Sequence, residues 1–170
     1  MLKIFAMLML TAAFSLAGKW AASMQEKRTV LLREIMLMIS VTESRLRYSR
    51  LPVSDLLRVL SENTGLSGLS FIKNCREKGC FGEAFPEAWS ESVKAETEMC
   101  RLLAESAAYL ASFGADIGST DLDSQLSCCE YYSGIFGREL EIQQEKSHRY
   151  SKLFPPLGML VGISAAILII

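Results

Sequence analysis

The sequence predicts an all-α protein, in which a cytoplasmic helical bundle of about six helices is flanked by N- and C-terminal transmembrane helices. All 19 acidic residues and 17 of the 18 basic residues lie between Lys19 and Lys152, so both ends are almost uncharged. Proline is scarce, at 4 of 170 residues, and glycine is modest, at 11, which favours helices over a turn-rich β fold. No segment alternates apolar and polar residues over the length of a strand. The predicted boundaries are residues 1–22 and 153–170 for the membrane helices and 23–152 for the bundle.

Each end is about long enough to cross a bilayer. Met1–Gly18 contains a single charged side chain, Lys3, and Leu153–Ile170 contains none. As helices, these 18-residue segments would be about 27 Å long, close to a hydrocarbon core of about 30 Å. Trp20 and Tyr150 lie near the predicted membrane–water boundaries, where aromatic residues are favoured.

Basic residues beside the two ends predict the orientation. On the far side of the predicted membrane helices the only basic side chain is Lys3. Eight cations lie on the central side, close to these helices: Lys19, Lys27, Arg28, Arg33, Arg138, Lys146, Arg149 and Lys152. The positive-inside rule therefore keeps the centre in the cytoplasm, and an odd number of cysteines, five, suits that reducing compartment. An alternative is a cleaved signal peptide ending at Ser15-Leu16-Ala17, which would place the centre outside the cytoplasm.

Four helices are predicted in the first half of the centre. The first runs from Met24 to about Arg50, and its middle is apolar nearly all round, as expected for a buried helix. The second begins at Pro52, because proline suits a first helical turn, and ends at Asn63-Thr64-Gly65. The third carries Leu69 and Ile72 and stops near Gly79, and the fourth has Pro86 in its first turn and Phe85, Ala88, Trp89 and Val93 on one face.

Two longer helices are predicted in the second half. The fifth runs from about Glu96 to Phe113, where Gly114 and Gly118 are expected to break it. The sixth begins at Thr120, a capping residue with Asp123 three positions on, and continues to Lys152. Its apolar seam turns polar at Gln143 and Ser147, so the last turns are expected to leave the bundle and bridge to the membrane, with a kink at Pro155-Pro156.

The sequence lacks the residue patterns of common catalytic sites. It has a single histidine, His148, and no phosphate-binding loop, so neither a histidine-based triad nor nucleotide hydrolysis is expected. The near-neutral charge excludes a polybasic nucleic-acid binder. The spacing of the cysteines does not fit zinc: Cys75, Cys80, Cys100, Cys128 and Cys129. We therefore predict no catalytic residue, no cofactor, no metal site and no small-molecule substrate, with a thiol-based redox protein as the alternative.

Acidic residues cluster around the predicted fourth helix and the start of the fifth. They are Glu83, Glu87, Glu91, Glu96 and Glu98. A solvated helix face is one interpretation, and a docking edge for a basic partner is the other.

Small residues four apart mark both ends of the chain. Gly158, Gly162 and Ala166 form one ridge in the C-terminal segment, and Ala13 and Ala17 repeat the spacing in the N-terminal segment. Such ridges allow close helix packing in a membrane, within one chain or between chains.

The layout resembles the stage III sporulation protein AB family of endospore-forming bacteria. The stretch Leu110-x-x-Phe113-Gly114-x-x-Ile117-Gly118-x-Thr120-Asp121-x-x-x-Gln125 looks like that family's Leu-Gly-x-x-Leu-Gly-x-Ser/Thr-Asp-x-x-x-Gln motif. Tyr150-x-x-x-x-x-x-Leu157-Gly158-x-x-x-Gly162 is similar to its closing segment, and Tyr48-x-x-Leu51-Pro52 and Ala88-Trp89 also fit.

This resemblance implies a non-enzymatic role. A member of the family would be a membrane platform of a sporulation secretion apparatus, in the mother-cell membrane around the forespore. Its cytoplasmic domain would be similar to that of the type II secretion platform protein. The implied partners are the apparatus ATPase, stage III sporulation protein AA, and the channel proteins of the complex. A membrane-anchored adaptor of another complex is the alternative.

Overall fold

Residues 2–49, 52–78, 85–119 and 121–169 are described by a computed structural model. In these ranges the chain forms seven α-helices, one 3₁₀ turn and no strand, which confirms the predicted all-α class. The helices are α1 (Leu2–Ser49), α2 (Val53–Glu62), α3 (Phe71–Glu77), α4 (Phe85–Ala95), α5 (Thr97–Leu102), α6 (Ala104–Ser119) and α7 (Leu122–Ile169), and the 3₁₀ turn is Thr64–Leu66.

The first and last helices are each 48 residues long. Helix α1 joins the predicted N-terminal segment to the predicted first bundle helix without a break at Gly18. Its end at Ser49 agrees with Pro52, because a proline disfavours helical geometry in the residue before it. Helix α7 likewise continues through Pro155 and Pro156.

The chain divides into two compact units. One unit consists of Met1–Thr29 and Glu141–Ile170, and the other of Val30–Leu140. We call them the terminal unit and the central unit and describe each by itself.

The central unit is built around Trp89 on α4. Helix α4 packs against α6 and α3, α2 packs against α3, and α5 packs against α6. The Trp89 ring lies 5.1 Å from the Phe71 ring, 5.6 Å from Phe85 and 6.2 Å from Phe113, centroid to centroid. These are favourable distances for aromatic pairs, so one large ring draws α3, α4 and α6 together.

Two glycines that were expected to break a helix lie inside α6. The prediction of a break at Gly114 and Gly118 is wrong, because α6 runs from Ala104 to Ser119. A Cβ at Gly114 would collide with the Trp89 indole, and one at Gly118 would lie 2.7 Å from Phe85 Cδ1. Both glycines thus allow α4 to approach α6 closely.

A break that was not predicted lies at Leu103, between α5 and α6. The predicted fifth helix is therefore two helices, and Leu103 has φ −134° and ψ 59°. The backbone hydrogen bonds from Leu103 N to Met99 O and from Ala107 N to Leu103 O persist, at 2.7 and 2.8 Å. Because these two bonds remain, the break loses little backbone hydrogen bonding. The side chains of Leu102 and Leu103 are both buried.

The terminal unit contains a buried polar contact between its two helical segments. Gln143 is 7% exposed, and its side-chain amide donates a 2.7 Å hydrogen bond to Gln25 Oε1. Gln143 lies in the part of α7 that belongs to the terminal unit, and there it contacts α1. Among the described residues, no helix meets the length and hydropathy needed to cross a membrane.

Candidate docking site

Helix α4 separates an apolar face from an acidic one. Its buried residues are Phe85, Ala88, Trp89, Ser92 and Val93. Glu87 and Glu91 are exposed, since they fall between these positions in the 3.6-residue period. The same packing that buries Trp89 against α6 therefore presents two carboxylates to solvent.

The two residues that flank α3 contact the acidic cluster, one through an ion pair and the other through a hydrogen bond. Lys78 Nζ lies 3.1 Å from Glu91 Oε2, and the Ser70 hydroxyl lies 3.5 Å from Glu96 Oε1. Glu98 is exposed at the start of α5. Glu83 lies outside the described residues. We call Glu87, Glu91, Glu96 and Glu98 the acidic edge.

An open depression lies beside the acidic edge. It has a volume of about 330 Å³ and is lined by Asn74, Glu77, Lys78, Ser92 and Ala95. The Ser92 side chain is fully buried, and its hydroxyl has no hydrogen-bond partner in the described part of the chain. Sequence reasoning missed this feature because it grouped the carboxylates of one segment, whereas the depression combines residues of α3 and α4.

The motif that carries the family resemblance supports the fold behind this site. The Trp89 indole N–H donates a 2.8 Å hydrogen bond to the Leu110 carbonyl, over Gly114. Gln125 Nε2 donates a 2.8 Å bond to the Ile117 carbonyl, which joins the start of α7 to the end of α6. These motif residues therefore act in packing and helix connection.

The start of α7 is stabilised by Asp121. Its carboxylate accepts a 2.6 Å hydrogen bond from the Ser124 hydroxyl, and this bond lowers the pKa of Asp121. Asp121 directly precedes the first helical residue, Leu122, the position that favours such polar residues. The predicted cap, Thr120, lies outside the described residues.

Two polar contacts join α6 to α7. The Ser106 hydroxyl donates a 2.6 Å hydrogen bond to Glu139, and the Tyr132 hydroxyl donates a 2.9 Å bond to Asp116. Burial and the neighbouring Asp116 carboxylate raise the pKa of Tyr132 above its usual range. Tyr132 therefore stays protonated and donates to Asp116 throughout the physiological pH range.

The neighbouring thiols of α7 are not activated. Burial, and then the negative charge of Asp116, raise the pKa of Cys128 to about 11. Burial above all raises the pKa of Cys129 to about 12. A reactive cysteine needs a lowered pKa, so these two lack the thiolate that redox chemistry uses. Within the described ranges, no group of three or more ligating side chains could hold a metal ion.

The small-residue ridges are described only in part. Ala13 and Ala17 are exposed on α1. Gly158, Gly162 and Ala166 lie in α7, but their surroundings fall outside what the structure describes.

The fold and contacts define a helical-bundle protein, with one helix holding an aromatic core on one face and an acidic edge on the other. The family model described as stage III sporulation protein AB matches residues 3–170, and the chain therefore belongs to this family. It is a family of sporulation proteins and is not a known enzyme family. No curated protein and no solved structure matches the chain.

Proposed function

We propose that this protein is a non-enzymatic membrane platform of a sporulation secretion apparatus, located in the mother-cell membrane around the forespore. Membership of the stage III sporulation protein AB family over residues 3–170 is the observation that carries the proposal. In this role the helical domain lies in the cytoplasm and couples the apparatus ATPase, stage III sporulation protein AA, to the channel proteins.

Membrane attachment is supported by the surface of the terminal unit. Large apolar side chains point outward on both of its segments, including Leu16 at 67% exposure, Trp20 at 66% and Leu160 at 60%. Among the described residues, one contact between its two segments is polar, the pair of Gln25 and Gln143. Exposed apolar groups and a polar contact between helices are both favourable where the surroundings are lipid rather than water.

The charges that flank these apolar surfaces support the orientation. Lys19 on α1 and Lys152 on α7 are exposed. Each is the charged residue nearest to the almost uncharged end of its helix on the central side. The eight basic residues on the central side of the two ends favour a cytoplasmic location for that side.

ATPase docking is assigned in this proposal to the acidic edge. Its carboxylates lie on the exposed face of α4 and the start of α5, and α4 is held rigidly by the contacts of Trp89. Because Glu91 already pairs with Lys78, Glu87 is the cleaner position at which to test the electrostatic part of docking.

The test is capture of the purified ATPase by the full-length protein in detergent. We expect Glu87→Lys to weaken binding about tenfold and to reduce the salt dependence, because a favourable charge becomes repulsive. Glu130→Lys is the matched control, since it reverses a carboxylate on α7 that is also exposed. Equal binding by wild type and both variants would remove the acidic edge from the proposal. No binding by the wild type would contradict ATPase docking itself.

A further inference from the structure

The depression between α3 and α4 contains a hydrogen-bonding group that the fold leaves unused. Ser92 is 0% exposed and lines the depression, and its Oγ has no partner within the described ranges. A buried hydroxyl without a partner is unfavourable, because it has lost its bonds to water and gained none. A bound group that shifts the floor of the depression enough to reach Ser92 would restore one of these bonds.

The charge of the depression favours a cation. Lys78 forms an ion pair with Glu91 at 3.1 Å, so these two charges offset each other. Glu77 is exposed and lines the same depression. These three side chains together leave one negative charge at the site, which attracts a positive group.

The lining also supplies hydrogen-bond acceptors of three kinds. They are the side-chain carbonyl of Asn74, the carboxylate of Glu77 and the hydroxyl of Ser92. A guanidinium group is a planar cation with five N–H donors, so it suits several acceptors at once better than the point charge of a lysine does. The volume, about 330 Å³, is ample for one long side chain.

We propose that this depression receives an arginine side chain of the partner that docks at the acidic edge. The inference rests on the proposed function, since that partner is the apparatus ATPase. The arginine contacts Glu77 and Asn74 at the rim, and a small shift of the floor on binding lets it reach the buried Ser92 hydroxyl. Glu87 contributes to longer-range attraction. The depression therefore gives docking a defined register that an acidic surface alone does not provide.

The experiment measures the Kd of the full-length protein for the ATPase and its melting temperature. We expect Ser92→Ala to weaken binding roughly tenfold, the effect of losing a hydrogen bond to a charged group. We expect a similar loss from Glu77→Gln, which keeps an acceptor but removes the negative charge that strengthens the bond. Neither should lower the melting temperature, because Ser92→Ala removes an unpaired hydroxyl and Glu77 is exposed. Glu130→Gln, which removes one exposed carboxylate from α7, should leave the Kd unchanged.

The outcomes separate this inference from the function on which it rests. If the ATPase binds and all three variants match the wild type, the depression is not the arginine site, although docking stands. If Ser92→Ala weakens binding only together with a lower melting temperature, its role is structural and the inference fails. If the wild type does not bind the ATPase, the proposed ATPase docking is contradicted. Titration of the wild-type protein with arginine amide then tests whether the depression binds an arginine side chain. Saturable NMR shifts at Asn74 and Ala95 that Glu77→Gln abolishes would support it, and their absence would overturn it.

Discussion

Gly114 and Gly134 are both glycines inside long helices, but their surroundings differ. A Cβ at Gly114 would collide with the Trp89 indole, whereas one at Gly134 would meet no atom within 4 Å. Packing against Trp89 therefore requires a glycine at position 114. At position 134 no contact requires it, and Gly134 only adds the entropic cost of a glycine in a helix.

We expect opposite effects from the same substitution at these positions. Gly134→Ala should stabilise the protein by about 0.5–1 kcal/mol, and Gly114→Ala should destabilise it by about 1–3 kcal/mol through overpacking. Trp89→Ala alone should cost about 3–5 kcal/mol, and Gly114→Ala should add little in that background. Chemical unfolding of the full-length protein in detergent measures all four variants. Equal effects at the two glycines would contradict the close approach of Trp89.

The raised pKa of Cys128 predicts a pH dependence. Its ordinary value is 9.0, and the fold raises it to about 11. Between these values the unfolded chain loses the thiol proton while the folded chain keeps it, so this group lowers the stability as the pH rises through that window. Below about pH 9 both states are protonated, and the effect is absent.

Alkylation by iodoacetamide measures this directly. The rate at Cys128, followed by mass spectrometry of its peptide, should rise with a midpoint near pH 11 in the folded protein. In denaturant the midpoint should fall to the ordinary value, about 9. A low midpoint in the folded protein would instead revive the thiol-based redox alternative.

At the scale of elements, the Gln25–Gln143 hydrogen bond defines how two segments of the terminal unit are aligned. Steps of three and four residues from Gln25 and Gln143, in opposite chain directions, reach Ala22 and Ser147. Both of these side chains are half-buried, whereas Ala13 and Ala17 are exposed. If this register continues along both helices, Ala13 is expected to lie about two helical turns from the position opposite Gly162, the pairing that an intramolecular contact of the two ridges would need.

Cysteines placed at Ala22 and Ser147 should therefore cross-link efficiently under mild oxidation. Cysteines at Ala13 and Gly162 should not, because the register separates them by about two helical turns, or about 10 Å along the axis. Peptide mapping distinguishes these bridges from any that involve the native thiols. Preferential formation of the second bridge would show that the register differs from the one defined by Gln143.

At the scale of the whole molecule, the proposed topology places residues 19–152 in the cytoplasm and retains the first segment. A membrane-impermeant maleimide should leave Cys80 unlabelled in intact cells, because the reagent does not reach the cytoplasm. The same reagent should label it after permeabilisation, which serves as the control. Labelling in intact cells, or a mature N-terminus near Gly18, would reverse the topology and favour the cleaved signal peptide.

Local sequence chemistry determined much of the fold. The apolar spacing of Phe85, Ala88, Trp89 and Val93 predicted α4, and the structure places that helix at Phe85–Ala95 with these residues buried. Pro52 predicted the start of α2, and the helix begins at the next residue. These predictions depend on neighbouring residues alone, since periodicity and proline geometry act over a few positions.

Tertiary structure decided the features that depend on distant residues. Gly114 permits contact rather than ending a helix because Trp89, from another helix, occupies the space that a side chain would take. The break at Leu103 is not marked in the sequence by a proline or glycine, and Leu102 and Leu103 are both buried there.

The candidate docking site also combines features that the sequence determines with features that only folding decides. The sequence alone identified the carboxylates of the acidic edge, whereas only packing of α3 on α4 brought Lys78 to Glu91 and enclosed Ser92. Charge is a property of each residue, but ion pairing and burial are properties of the residues that folding brings together.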